Sequence, residues 1–276
     1  MKVDAATQVI FMVGRPVAQT RTPALLNAWF GEHGKNLALV PLELPDSAVP
    51  ALARLLGEAG NVLGCVVTIP LKAKLYPFVH AASPVAAALQ TVNVVKRCAD
   101  GQLFGDMLDG AAMVQGLHTM GVVLAGRSVY LTGCGGAGSA MAFSACGEGV
   151  RRLRLHDVRP ESARQLAAAL RLRFADCQIE LGADARGCDV VINASPLGMG
   201  AEDALPVPVE QLQPQAIVVD AVTSASATRW VAACRKAGHA TLDGNTIAAH
   251  QLPLMRDFFG IDTASAHAPA TPGETP

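Results

Sequence analysis

Between Ser128 and Ser139 the chain reads Ser-Val-Tyr-Leu-Thr-Gly-Cys-Gly-Gly-Ala-Gly-Ser, a strand-length apolar run that breaks into glycines and then opens a helical pattern. No other segment limits the fold so tightly. Gly133, Gly135 and Gly138 stand at G-x-G-x-x-G spacing. The first permits a tight turn, the second lets backbone approach a ligand with no Cβ in the way, and the third lets the helix pack closely on the strand. The helix N-terminus, opened by Gly136 and Ala137, offers free N–H groups and a partial positive charge to an anion. The turn therefore predicts a pyrophosphate seat. Asp157 follows at the end of the next strand, near the ~20-residue offset at which a carboxylate meets ribose hydroxyls. A carboxylate there repels a 2′-phosphate, which favours NAD; Arg159, two residues on, leaves NADP possible.

Around this turn, strand-length runs alternate with helical patterns. Gln8–Val13, Leu37–Pro41 and Val62–Val67 read as strands, with helices over Pro23–Phe30 and Val49–Glu58. Short strand–helix–strand links predict a mainly parallel sheet covered by helices. The alternation loosens at Thr91–Lys96 and Gln102–Gly105, which flank Asp100-Gly101 as a hairpin. A second series begins after Gly126, with strands at Ser128–Thr132, Leu153–His156, Val190–Asn193 and Ile217–Asp220. Its helices fall at Ala137–Cys146, Glu161–Leu172 and Thr228–Ala237, and a last helix covers Thr246–Phe258. The change of pattern places a boundary near residue 106. The segment 263–276, rich in Ala, Pro and Thr, is expected to be a disordered tail.

The 276 residues are 51% apolar and 16% charged, too apolar for a disordered chain. A net charge of −1 leaves no electrostatic footprint for nucleic acid or an anionic membrane. No apolar stretch reaches the ~18 residues that span a bilayer. The start of the chain does not read as a signal peptide. Seven cysteines without a Cys-x-x-Cys pair read as reduced, mostly buried thiols, and seven histidines show no metal spacing. These features predict a cytoplasmic protein without a metal.

Other segments then form a pattern with the glycine turn. They are Gly14-Arg-Pro-Val-Ala-Gln-Thr-Arg-Thr-Pro23 with Asn27, Val67-Thr-Ile-Pro-Leu-Lys72, Val92-Asn93-Val94 and Gly105-Asp-Met-Leu-Asp109-Gly110. Asn193-Ala-Ser-Pro-Leu-Gly-Met199 and Asp243-Gly244 with Gln251 complete it. In this order the chain resembles the shikimate dehydrogenase family from about Val13 to Phe259. The resemblance implies an α/β protein with an N-terminal α/β substrate domain and a Rossmann dinucleotide-binding domain. Its C-terminal helix would return to the substrate domain. The expected division is 1–105 with 239–262 for substrate and 106–238 for NAD(P).

The resemblance also implies roles. Lys72 and Asp109 match the catalytic pair of a reaction that moves a hydride between a ring carbinol and nicotinamide while the alcohol proton leaves. Either could be the formal base; on the sequence alone Lys72 could also be a surface lysine and Asp109 a helix N-cap. Thr20, Thr22, Thr68, Asn93, Thr223 and Gln251 match substrate contacts. Asn193, Ser195 and Gly244 join the glycine turn, Asp157 and Arg159 as cofactor contacts.

The departures from the family cluster at the substrate. Its His-Ser-x-Ser-Pro is Gln19-Thr20-Arg21-Thr22-Pro23 here, which keeps two hydroxyls for a carboxylate; Arg21 could add a charge. The asparagine of Asn-Val-Thr is Val66, Asn-Thr-Asp is Met107-Leu108-Asp109, and a tyrosine is Thr223. The family's Asn-Arg-Thr in NADP-dependent members is Asp157-Val158-Arg159, which again favours NAD. The resulting expectation is an oxidoreductase, monomer or homodimer, acting on shikimate, quinate or a related small cyclic hydroxy acid with altered shikimate affinity. A dehydrogenase for a different small substrate, or a non-catalytic ligand-binding or regulatory protein, are the alternatives. The two-lobed methylene-tetrahydrofolate dehydrogenases fit the motif set less well.

Overall fold

A computed structural model describes residues 3–18, 20–200 and 203–261. The expected tail at 263–276 lies outside the described residues. Strands β1 (Gln8–Gly14), β2 (Leu37–Glu43) and β3 (Val62–Val67) alternate with helices α1 (Thr22–Glu32) and α2 (Val49–Glu58). Short α3 (Lys72–Leu75), β4 (Ala81–Ala82) and α4 (Pro84–Leu89) lead to β5 (Val94–Arg97) and β6 (Leu103–Asp106). These strands form one sheet in the order β2-β1-β3-β5-β6-β4. β1 pairs parallel with β2 and β3, while β5 and β6 make the expected antiparallel hairpin, its first strand starting at Val94. The apolar runs of β1 and β3 make parallel strands because helices cover both faces.

The second unit opens with α5 (Asp109–Thr119). It continues through β7 (Ser128–Thr132), α6 (Gly136–Gly147), β8 (Arg152–His156), α7 (Pro160–Arg171) and β9 (Gln178–Leu181). Then come β10 (Val190–Asn193), β11 (Ile217–Asp220), α8 (Arg229–Lys236), β12 (Thr241–Leu242) and α9 (Gly244–Phe258). The sheet runs β12-β11-β10-β7-β8-β9 with every pair parallel. This is the doubly wound dinucleotide-binding order. It reverses between β7 and β10, and the crevice beyond the carboxyl ends of those two strands is where such sheets take ligands.

Two differences from the sequence reading have plain causes. Residues 241 and 242 pair with Val218 and Val219, so the second sheet runs beyond the expected end at residue 238. Gln178 and Glu180 interrupt the apolar run of β9, an edge strand whose Ile179 alone is buried.

The two sheets are joined through α5 and α9. Met113, Leu117 and Ile247 pack into the core of the second sheet. Leu108, Met255 and Phe258 pack with Met12, Val66 and Val94 on one face of the first. The last helix thus returns to the N-terminal lobe and forms one wall of the cleft between them.

Candidate active site

β3 ends at Val67, and the chain turns into α3, whose first residue is Lys72. β6 ends at Asp106, and α5 starts at Asp109. These two helix starts meet. Nζ of Lys72 donates to Oδ2 of Asp109, and the two side chains are only 15% and 8% exposed. Lys72 is therefore no surface lysine. Nor does Asp109 cap α5: the cap position is Leu108, and the Asp109 carboxylate turns inward.

Its other oxygen is also engaged. Oδ1 of Asp109 accepts from Nδ2 of Asn93 at 2.9 Å and from Nε2 of Gln251 at 2.6 Å. Asn93 accepts from the Leu108 amide at 2.8 Å, which satisfies a backbone donor at the start of α5. Asn93 and Gln251, expected at the substrate, thus also fix the aspartate. Asp109 accepts from Lys72, Asn93 and Gln251. An ammonium has three N–H groups, and one rests on Asp109.

Beside this cluster lies a cavity of about 140 Å³. Every residue expected to be catalytic or substrate-binding lines it: Lys72, Asp109, Thr20, Thr22, Thr68, Asn93, Thr223 and Gln251. The two expected carboxylate hydroxyls are not equivalent. Thr20 donates its hydroxyl to the Val17 carbonyl at 2.7 Å, so its hydrogen is taken. Thr22 makes no side-chain hydrogen bond among the described residues, and its hydroxyl can donate. Arg21 also borders the cavity, its Nη1 3.3 Å from Oδ1 of Asn245.

The rest of the lining is apolar: Met12, Val66, Val67, Ala248 and Met255. Three of these, Met12, Ala248 and Met255, were missed on the sequence. A signal existed. Met255 and Ala248 stand four residues after and three before Gln251, on the same helix face. Met12 lies directly across the parallel pair from Val66.

The glycine turn has the form its spacing predicts. Gly133 has φ +94°, and a Cβ there would stand 2.5 Å from the Ala194 backbone. A Cβ on Gly138 would stand 1.8 Å from the Gly133 carbonyl oxygen, so α6 can start here only on glycine. A Cβ on Gly135 would meet nothing within 4 Å, which leaves open space before the helix N-terminus. These features suit a pyrophosphate on the backbone amides of residues 135–138. Asp157 is tied to the same turn: its carboxylate accepts from the Cys134 amide at 2.7 Å and from the Arg159 amide at 2.8 Å. The Arg159 guanidinium is itself exposed, 3.7 Å from Asp157. Burial, reinforced by the Asp157 charge, pushes the Cys134 thiol up to about 12, so it is no thiolate nucleophile.

One expected cofactor contact, Asn193, has its side chain engaged within the chain. Asn193 is fully buried. Its amide donates to the Leu197 carbonyl and to Asp220, and its oxygen accepts from the amide and hydroxyl of Ser195. With both ends of the amide occupied, it props the loop after β10. Ser195 stays at the crevice, facing Gly133. Gly244 begins α9 where a Cβ would stand 2.3 Å from the Val222 carbonyl, a close backbone crossing.

A larger groove of about 560 Å³, between α2 and the β5–β6 turn, is far from this chemistry and holds no such cluster. Among the described residues no group of three or more His, Cys, Asp or Glu could hold a metal, and no helix is long and apolar enough to cross a membrane.

Comparison with known proteins gives consistent relatives. A model of the shikimate dehydrogenase substrate-binding domain matches residues 12–95. Over 269 residues, 95% of this chain and 94% of the relative, the sequence is 32% identical to the shikimate dehydrogenase (NADP(+)) of Rubrobacter xylanophilus. Among solved structures, shikimate 5-dehydrogenase from Listeria monocytogenes, in complex with shikimate and NAD, superposes with a TM-score of 0.83. It is 23% identical, with 91% of each chain covered, a likeness of fold. Quinate dehydrogenase from Corynebacterium glutamicum, in complex with NAD, gives 0.80 at 25% identity, covering 92% of this chain and 94% of that one.

Proposed function

The chain belongs to the shikimate dehydrogenase family, and on that premise we propose that it moves a hydride between a nicotinamide dinucleotide and a ring carbon of shikimate, quinate or a related cyclic hydroxy acid. The observation that carries the proposal is the buried Lys72–Asp109 pair, held by Asn93 and Gln251 at the edge of a cavity beside the glycine turn. A protein that only binds a ligand gains little from burying such a pair, because desolvating two charges is costly.

When bound, the nicotinamide supplies the hydride acceptor or donor. The chain's own residues do the rest. Thr22, Thr223 and Arg21 offer two hydroxyls and a positive charge to the substrate carboxylate. Lys72 holds the reacting oxygen and takes or returns its proton as charge develops there. Asp109 keeps the ammonium aimed, and Asn93 and Gln251 keep Asp109 from turning away.

NAD as the preferred cofactor is part of the proposal. Its support is Asp157, whose carboxylate at the end of β8 opposes a 2′-phosphate. The Rubrobacter relative carries NADP(+) in its name, so the proposed NAD preference rests on this chain's own Asp157-Val158-Arg159. A cytoplasmic monomer or homodimer completes the reading; the seven free cysteines suit a reducing compartment.

The test is direct. Purified protein is mixed with NAD or NADP and with shikimate, quinate and related ring acids, and reduced nicotinamide is followed by absorbance. Turnover of at least one acid is expected, faster with NAD. Tight cofactor binding with no turnover of any acid would refute it.

A further inference from the structure

The lining of the cavity beside Lys72 is part polar and part hydrocarbon. Met12, Val66 and Met255 are 4%, 3% and 2% exposed, and all three belong to the core cluster that fills the space between the first sheet and α9. The cavity wall is therefore the surface of a packed core. Val67 and Ala248 extend the same lining.

The amides that remain do little to offset this. One N–H of Asn93 and one of Gln251 are directed at Asp109, and the Asn93 oxygen is taken by the Leu108 amide. Thr20 donates to Val17. The second N–H groups of Asn93 and Gln251 and the Gln251 oxygen stay beside Asp109 and Lys72; the other polar side chains of the lining are Thr68, Arg21, Thr22 and Thr223. A ring hydroxyl placed against Met12, Val66 and Met255 would lose its water, and none of those three side chains replaces it.

We infer that the site takes a ring carboxylic acid with a hydrocarbon edge: one hydroxyl or ketone at Lys72, the carboxylate toward Arg21 and Thr22, and bare ring carbons against Met12, Val66 and Met255. This rests on the dehydrogenase reading above and narrows its substrate to acids with fewer hydroxyls than shikimate or quinate. A pocket that is merely apolar rejects an added hydroxyl by about a hundredfold at most, so the preference is ten- to a hundredfold and shikimate remains a poor substrate.

The experiment compares shikimate, quinate and meta-hydroxycyclohexanecarboxylate, with the cyclohexene counterpart of the last, in two measurements on the full chain. One is kcat/KM with NAD and with NADP. The other is equilibrium binding of each acid by calorimetry with the cofactor present. Expected is a tenfold or greater preference for the monohydroxy acids in both. Val66→Asn should move the preference back toward shikimate, and Val66→Thr, closer in shape, should do so in part. Wild-type binding of shikimate or quinate as tight as that of the monohydroxy acids would overturn the inference, whatever the variants do. If no acid is turned over, the dehydrogenase reading fails, and the binding order still decides this one.

Discussion

Lys72 lies against the first residue of α6: a Cβ built on Gly136 would stand 3.2 Å from Cδ of Lys72. The catalytic lysine proposed for the substrate lobe therefore rests on the helix that opens the glycine turn. The two halves of the site are in register before any ligand is considered. That contact concerns the lysine stem and not a charge, so it sets where Nζ can reach.

Gly136→Ala tests it. The added methyl must push a flexible side chain, and alanine favours the helix, so thermal stability should hold or rise slightly. The ammonium would move by a fraction of an ångström, enough to lower kcat by about tenfold. Steady-state kinetics with a melting curve check both halves. An unchanged kcat would mean that the Lys72 stem relaxes without moving Nζ.

Lys72 and its supports should separate by magnitude. Lys72→Ala removes the group that meets the reacting oxygen and should cost on the order of 10²–10⁴ in kcat. Gln251→Leu leaves Asn93 on the same carboxylate oxygen and should cost about tenfold, with a shifted pH–rate profile because the aspartate is less restrained. Equal losses in the two variants would place Gln251 at the reacting atoms and not behind Asp109.

Much of this was legible in the sequence, for physical reasons. The turn demands glycine at Gly133 and Gly138, because Cβ atoms there would strike backbone; such a constraint is written in residue identity. Buried central strands such as Val190–Asn193 and Ile217–Asp220 were read to the residue, since a polar residue marks where each apolar run stops. What was not legible depended on pairs of distant residues. Asn193 looks like a ligand contact in one dimension, and only the fold brings Asp220 and Leu197 to its amide. Nor could composition show that the free hydrogen belongs to Thr22 and not Thr20. The apolar wall was half visible: Val66 stood out as a replaced asparagine, whereas Met12 and Met255 look like ordinary core until the cavity is drawn around them.

Asp157 has two tasks, and two substitutions can part them. Its carboxylate holds the Cys134 amide in the glycine turn, and its charge opposes a 2′-phosphate. Asp157→Ala loses both, so binding of NAD and NADP should weaken together. Asp157→Asn keeps an acceptor for the Cys134 amide and loses the charge, together with the acceptor for the Arg159 amide. Its kcat/KM ratio of NADP to NAD should rise by about tenfold, roughly the 1.4 kcal/mol that a removed repulsion of this kind supplies. A ratio unchanged in Asp157→Asn would remove the charge as the source of cofactor choice.

The start of α9 gives a prediction in pH. Asp243 caps this helix, accepting from the amide and hydroxyl of Thr246 at 2.9 Å and from Arg235 at 2.9 Å. Burial alone would push its carboxyl up, but the Thr246 bonds and then Arg235 outweigh it and hold it below the usual 3.8. A carboxyl lowered on folding stabilises the protein above its unfolded value, and that contribution is lost as pH falls through the folded one. Asparagine caps helices as well as aspartate does, so Asp243→Asn isolates the charge. Wild type should exceed the variant by up to about 1 kcal/mol at pH 7, a figure reduced for partial exposure to solvent. Urea unfolding at stepped pH should show that gap persisting down to about pH 4 and closing below it. A gap that stayed constant to the lowest pH would assign the difference to shape and not to charge. The helix so anchored carries Gln251 to Asp109 and Met255 to the cavity wall, so loosening its first turn should also raise KM at low pH before the fold is lost.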